Sequence, residues 1–352
     1  MRILVTGGSG FLGRYFHQAL HEAGNEVIIL DLVAPKWDAD GARVIQGDVR
    51  DRTTVDEAMR GVDAVLHLAA AHHDSGIDPS TYFSVNETGA QVLCDAAEEH
   101  NVRSICFTST VAVYGATPEP RIEAADTRPV TPYGQSKLAA ESIFRAWSGS
   151  GSGRRCLIIR PTVIFGPSNF ANMYSLIRQV DSGFFVRVTN GENIKSLSYV
   201  ENLIAAVLFL WRRETLEGFE VYNYVDKPDL QTRELLTQIY GALGRRIPSW
   251  WVPEAVALAA ASAFDLTATV TRQNLAISRA RIRKMCAQTR FEADKVLATG
   301  FTPPVPLTEG IERTVRWYLQ EGRDHRGTAH LPPAELRAKG RRVRPPTQFA
   351  EE

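Results

Sequence analysis

An α/β fold is predicted, a doubly wound parallel sheet followed by a smaller, mainly helical C-terminal domain, and three observations predict it. Short apolar runs rich in β-branched residues alternate with longer amphipathic stretches through the first half of the chain. A glycine-rich turn follows the first of those runs directly. After Gly166 the alternation weakens, and the remaining segments read mainly as helices with a few strands.

In chain order, strands are expected at residues 3–6, 27–31, 43–46, 64–68, 104–108 and 156–160, where short apolar runs sit between turn formers. Amphipathic helices fall between them, for example at 12–23 and 90–99. Right-handed crossovers then place ligands at the carboxyl ends of the strands. Short strands near 196–199 and 221–224 return toward the sheet. The run Ser148-Gly-Ser-Gly-Ser-Gly153 has a linker's composition but sits between a helix and a strand of one sheet, so a mobile surface loop is expected. From Arg323 the chain is rich in Arg and Pro without apolar periodicity, and an irregular tail, residues 323–352, is expected. No internal repeat is visible.

The 352 residues are 44% hydrophobic, enough for a large core. Lys plus Arg and Asp plus Glu both number 40, so no overall field recruits nucleic acid. The four cysteines, Cys94, Cys106, Cys156 and Cys286, are widely spaced, and the histidines show no metal-site spacing. Neither a disulfide framework nor a metal site is expected, and a reducing cytoplasm is the simplest compartment. The chain opens on a strand-like MRILVTGG with no leader pattern, and no apolar run reaches the roughly 20 residues needed to span a bilayer. The longest, 255–264, reads as a packed core or lid helix, with interfacial membrane contact as the alternative.

The turn after the first strand is Gly7-Gly-Ser-Gly10-Phe11-Leu12-Gly13. Its first glycine can turn tightly, its second lets backbone amides approach a pyrophosphate, and its third lets the following helix pack closely. Phosphate would rest on the helix N-terminus. Asp31, ending the second strand, is placed to accept hydrogen bonds from adenosine ribose hydroxyls, and its charge repels a 2′-phosphate, which favours NAD over NADP. Asp48 and Val49 after the third strand are expected near the adenine. His67-Leu68-Ala69-Ala70 ends the fourth strand with small residues past which the cofactor can lie.

Tyr133-Gly-Gln-Ser-Lys137 opens a helical stretch, so Tyr133 and Lys137 stand one turn apart on one face. A phenol with pKa near ~10 is a poor base at neutral pH, but a neighbouring ammonium favours its anion. Tyr133 can then exchange a proton with a substrate hydroxyl, and Lys137 can also hold the nicotinamide ribose. Upstream, the strand at 104–108 runs into Ser109-Thr110-Val-Ala-Val-Tyr114-Gly115, where Thr110 can donate a hydrogen bond to the substrate oxygen.

These residues together resemble the extended short-chain dehydrogenase/reductases of the NAD-dependent epimerase/dehydratase family, over roughly residues 1–322. The carriers are TGGSGFLG at 6–13, Asp31, GDV at 47–49, HLAA, Asn86 in VNETGA, STVAVYG, PYGQSK and RPTVIFGP at 160–167. The resemblance implies a Rossmann-type cofactor domain at 1–165 and a mainly substrate-binding region at 166–322. It makes Thr110, Tyr133 and Lys137 the catalytic set, gives Asn86 a part in ordering the sheet and active-site loop, and places Pro161 at the cofactor. A homodimer through the helices at 90–99 and 137–147 is also implied.

Within the family, sugar 4,6-dehydratases carry an acidic pair directly after the catalytic Thr, because elimination of water needs a further acid and base. Here those positions are Val111 and Ala112, so dehydration is disfavoured. Epimerisation needs only reversible oxidation and re-reduction with retained NAD. The segments around Asn172 and Lys195 resemble the nucleotide-sugar members, with Lys195 where they carry a base for the pyrophosphate. The asparagine expected soon after Pro161 is replaced by Val163. The leading expectation is therefore a C4 epimerase of a nucleotide-linked hexose, and the alternative is a net dehydrogenase or reductase of a ketosugar or a 3β-hydroxysteroid-like alcohol.

Overall fold

The computed structural model describes residues 1–73, 76–115, 119–213, 218–271, 279–325 and 332–338, with backbone alone for 263–271, 279–281 and 284. The strands are β1 (Arg2–Thr6), β2 (Glu26–Asp31), β3 (Ala42–Gln46), β4 (Ala64–His67), β5 (Ser104–Thr108), β6 (Arg155–Pro161), β7 (Val163–Phe165), β8 (Ile194–Lys195), β9 (Leu197–Tyr199), β10 (Gly218–Tyr224) and β11 (Leu230–Gln231). Seven of them form one sheet in the order β10-β6-β5-β4-β1-β2-β3, every neighbour parallel. The six early strands lie within about a residue of the sequence expectation. The segment expected near 221–224 is longer and joins the main sheet as its edge strand.

Alternation along β1 shows why the sheet needs two covering layers. Ile3 and Val5 face a cluster with Phe16 and Leu20, whereas Leu4 faces the opposite cluster with Ile28, Val65, Ile105 and Phe144. The first layer contains α1 (Phe11–Glu22) and α7 (Val200–Trp211). The second contains α2 (Arg52–Met59), α4 (Gly89–Glu99) and α5 (Pro132–Gly149). A short α3 (Pro79–Phe83) runs into a π-helical turn at Ser84–Thr88 ahead of α4. Strand order reverses between β1 and β4, and sheets of this kind take ligands outside the carboxyl ends of the strands at that switch point.

Beyond β6, α6 (Asn172–Asp181), α8 (Thr232–Ala242), α9 (Glu254–Thr271), α10 (Arg279–Cys286), α11 (Asp294–Leu297) and α12 (Leu307–Trp317) accompany two small sheets. One pairs β7 with β9 in parallel and the other pairs β8 with β11 antiparallel. The loop expected at residues 148–153 begins later than expected: helix α5 continues through Gly149, and the exposed turn follows at 150–153, where Arg154 Nη1 bonds to the Trp147 carbonyl (3.0 Å) and Ser150 Oγ (2.7 Å). In the tail, Leu336 is buried in the second core cluster and the Ala338 amide donates to the Gly76 carbonyl at 2.9 Å. Residues 326–331 and 339–352 of that tail lie outside the described residues. Among the described residues no helix is long and apolar enough to cross a membrane, and no group of side chains is arranged to hold a metal ion.

Candidate active site

Gly7 ends β1 with φ +68°, a left-handed conformation that glycine adopts without strain. A Cβ there would also lie 2.5 Å from the Ala69 amide nitrogen, because the chain at Leu68, Ala69 and Ala70 crosses against the turn. Leu68 N donates to Thr6 O at 2.9 Å and holds that crossing. At Gly13 a Cβ would fall 2.0 Å from Gly8 O, so this glycine packs α1 against the turn itself as well as toward the sheet. Helix α1 opens on Gly10 with no side-chain cap and no acid in its first turn. The amides of Phe11, Leu12 and Gly13 are thus left for an anion.

Asp31 Oδ2 accepts from Ser9 N at 3.0 Å and Oδ1 from Val33 N at 3.3 Å. These bonds aim the carboxylate at the turn and leave lone pairs for ribose hydroxyls. Burial pushes the Asp31 carboxyl up, against the pull of the backbone amides of Val33, Ser9 and Leu32. Burial also works against the Asp48 charge, but hydrogen bonds from Arg50 outweigh it and hold the carboxyl below its ordinary range. Arg50 Nε reaches the two Asp48 oxygens at 2.9 and 3.0 Å, and its Nη1 donates to Ser84 Oγ at 2.9 Å. Val49 is buried against Gly89.

Helix α5 starts on Thr131, whose Oγ1 accepts from Gly134 N at 3.1 Å, and Pro132 occupies the first turn. This start sets Tyr133 at the helix mouth and Lys137 one turn inward. Thr110 caps the short turn at Val111–Tyr114, its Oγ1 accepting from Ala112 N at 3.1 Å. The hydroxyl proton of Thr110 is not used by that bond and stays available to donate. A Cβ on Gly134 would lie 2.7 Å from Ala112 O, so the Thr110 turn rests directly against the residue beside Tyr133. Tyr133 is partly buried, its ring 6.4 Å from that of Tyr82.

Lys137 is 1% exposed. Its Nζ donates to the Thr108 carbonyl at 2.6 Å and lies 4.0 Å from the Phe107 ring centroid. Burial pushes the ammonium pKa down to about 7, with the Glu141 carboxylate pulling the other way. Neighbouring His67 is wholly buried, and burial followed by the Lys137 charge takes its pKa down to about 3, so the imidazole is neutral and shares a 2.6 Å hydrogen bond with Thr6 Oγ1. Asn86 sits in the π-helical turn. Its Oδ1 accepts from Ala71 N (2.8 Å), and its Nδ2 donates to Ala71 O (3.1 Å) and to Ser136 Oγ (2.9 Å). Ser136 Oγ in turn donates to Tyr133 O at 2.9 Å. One asparagine thereby joins the chain after β4 to the first turn of α5.

Sequence reasoning did not single out the group beneath this site. Arg160 grips Glu141 with Nε to Oε1 at 2.9 Å and Nη2 to Oε2 at 2.5 Å, both side chains only 5% exposed. Ser109 Oγ donates to the same Oε1 at 2.5 Å. Arg160 Nη1 reaches the Tyr114 hydroxyl at 2.7 Å, which donates onward to Asn223 Oδ1 at 2.8 Å. Available signals were the Arg of RPTVIFGP and a Glu four residues beyond Lys137 on an apolar helix face.

The remaining expected positions are more dispersed. Pro161 is buried at the carboxyl end of β6, beside Tyr224 of β10. Asn172 is exposed as the first residue of α6, and Lys195 lies in β8 with Nζ donating to Ala287 O at 2.5 Å.

Residues 3–224 match the family described as NAD dependent epimerase/dehydratase. The chain belongs to that family. It is 37% identical over 90% of its length, and 94% of the other protein, to the N-acetyl-alpha-D-glucosaminyl-diphospho-ditrans,octacis-undecaprenol 4-epimerase of Escherichia coli O157:H7. It is 29% identical to the dTDP-glucose 4,6-dehydratase of Streptomyces niveus, covering 90% of this chain and 93% of that one. Among solved structures, the UDP-glucose 4-epimerase of Thermus thermophilus in complex with NAD superposes with TM-score 0.73 at 26% identity, covering 91% of this chain and all of that one. The expected fold and cofactor are therefore found: an NAD-dependent epimerase on a Rossmann-type sheet with a helical C-terminal region.

Proposed function

We propose that this epimerase inverts C4 of a hexose linked through a diphosphate. The observation that carries the reading is the seating of Lys137 on the Thr108 carbonyl, one turn behind Tyr133 and below the Thr110 turn, at the carboxyl edge of the sheet. In this reading the amides at the start of α1 after Gly7 and Gly10 take the cofactor diphosphate, and Asp31 takes the adenosine ribose. Asp48 and Val49 border the adenine, while Leu68, Ala69, Ala70 and Pro161 line the remainder and Asn86 fixes the loop. NAD, when bound, supplies the reversible removal and return of hydride. Tyr133 takes the C4 hydroxyl proton and gives it back, Lys137 favours the phenolate by its charge and holds the nicotinamide ribose, and Thr110 donates to the reacting oxygen. Val111 and Ala112 carry no acid or base, so this part of the site has none for removing water.

Lys195 and Asn172 are the residues we assign to the diphosphate end of the substrate. The Thermus relative is named for a nucleotide carrier and the Escherichia coli relative for an isoprenoid one, so both carriers belong in the assay. We read the enzyme as a cytoplasmic homodimer paired through α4 and α5. The test is C4 inversion of UDP-linked and polyprenyl-diphosphate-linked N-acetylhexosamine, followed by NMR with absorbance recorded at the nicotinamide band. Inversion without net NADH supports the reading. Stoichiometric NADH with every turnover instead identifies a net dehydrogenase.

A further inference from the structure

The C-terminal region carries an apolar crest that the site does not use. Trp250 is 56% exposed, Trp251 46%, Val256 57% and Val186 45%. In the first turns of α9, Ala255, Val256, Ala259 and Ala260 face outward while Ala257 and Ala261 are buried. A surface helix ordinarily turns its polar face to water, and here the outward face is apolar. The crest is firmly based. Ala257 and Ala261 pack on Ile282 of α10, and Val188 and Val252 border the same cluster. Val252 N donates to Arg187 O at 2.9 Å, and Thr189 N to Val252 O at 3.0 Å.

Exposed cations flank the crest although the chain as a whole is neutral. Among the described side chains, Arg283 of α10 is exposed beside the cluster that holds Ile282. Arg245 and Arg246 are exposed just ahead of Trp250; Arg245 is partly neutralised by Asp181 at 3.1 Å. Glu254 at the start of α9 is an opposing charge. Tryptophans at the edge of an apolar patch, with cations around it, suit the headgroup level of an anionic bilayer, where apolar burial and electrostatic attraction act together.

We propose that this crest docks the enzyme on an anionic lipid surface as a peripheral protein. The same lobe holds Lys195, bridged to Thr289 just past α10, so docking sets the substrate end of the enzyme at the membrane. The inference stands on the crest and its charges and does not require a particular substrate carrier.

The test is co-sedimentation of the full NAD-loaded chain with vesicles of phosphatidylglycerol mixed into phosphatidylcholine, and with vesicles of phosphatidylcholine alone. The protein should sediment with the first set and much less with the second. Replacing Trp250→Ser and Trp251→Ser together should lower the vesicle partition about tenfold and leave C4 inversion of a water-soluble substrate unchanged. Val256→Asp supplies the same readout should the double variant not fold. Wild-type protein that stays in the supernatant with anionic vesicles overturns the proposal, as do variants that partition like wild type. A molar mass by light scattering that falls on replacing the two tryptophans also overturns it, because the crest would then be a self-association face.

Discussion

Replacing Glu141→Gln keeps the side chain's shape and removes its charge, leaving the Arg160 guanidinium buried without a counter-ion. Burial works against the Arg160 charge, and the Glu141 hydrogen bonds and charge outweigh it, so the guanidinium is held firmly protonated. Three short bonds end on the carboxylate, two from Arg160 and one from Ser109, at 2.5 to 2.9 Å. Breaking one side of such a buried pair costs about 3–5 kcal/mol, a large part of the roughly 5–15 kcal/mol that holds a domain folded. The melting temperature should fall by roughly 5–10 °C, since the shift per kcal/mol shrinks with chain length. Turnover should fall as well, because Ser109 precedes Thr110 and the Glu141 carboxylate also supports the Lys137 charge. Calorimetry and steady-state C4 inversion read the two effects. The double variant Glu141→Leu with Arg160→Met removes both charges and should recover much of the lost stability. A Glu141→Gln protein that melts within about 1 °C of wild type, or a double variant no better than the single, would refute the reasoning.

Lys137→Met should abolish turnover yet stabilise the NAD-free protein. The folded-state pKa of about 7 lies below the ordinary 10.5, so the unfolded chain binds more protons between those values and wild-type stability rises with pH across that window. The variant should therefore be more stable near about pH 6, by about 1–4 kcal/mol in unfolding free energy, with the gap closing toward pH 10; equal stability at the lower pH contradicts this. Gly13→Ala brings a methyl to 2.0 Å from Gly8 O, and retained NAD should drop by at least about tenfold, measured in the purified protein after denaturation. Undiminished NAD would show that the turn can shift to accommodate the methyl.

Much of the fold was legible because strands buried on both faces leave compact, mostly apolar runs, as in the fully buried β4 and β5. A return of the segment near 221–224 was expected and is found as β10, but its place was not legible, since the pairing with β6 joins Val221 to Ile158 across a long chain separation that leaves no local pattern, and the segment near 196–199 pairs instead with β7 outside the main sheet. The π-helical turn at Ser84–Thr88 is equally silent, because it is held by Asn86 reaching across to Ala71 and Ser136. Thr110, Tyr133 and Lys137 could be picked out because a strand end and a helix start announce where they point. Glu141 and Arg160 could not, because a charge read from sequence is assigned to solvent until a partner is seen. Composition placed the surface loop of the Gly-Ser run two residues early, because α5 carries on through Gly149 before the turn that Arg154 bonds to Trp147 and Ser150.

The most direct measurement is a single-turnover experiment on the Tyr133→Phe enzyme loaded with NAD, monitored at the nicotinamide absorbance band after mixing with the diphosphate-linked hexose. Loss of the phenolic oxygen should leave NAD in place and slow appearance of the reduced cofactor by about 10²–10⁴-fold, with C4 inversion slowed in parallel. Wild-type rates of reduction and inversion in that variant would show that the proton leaves by another route.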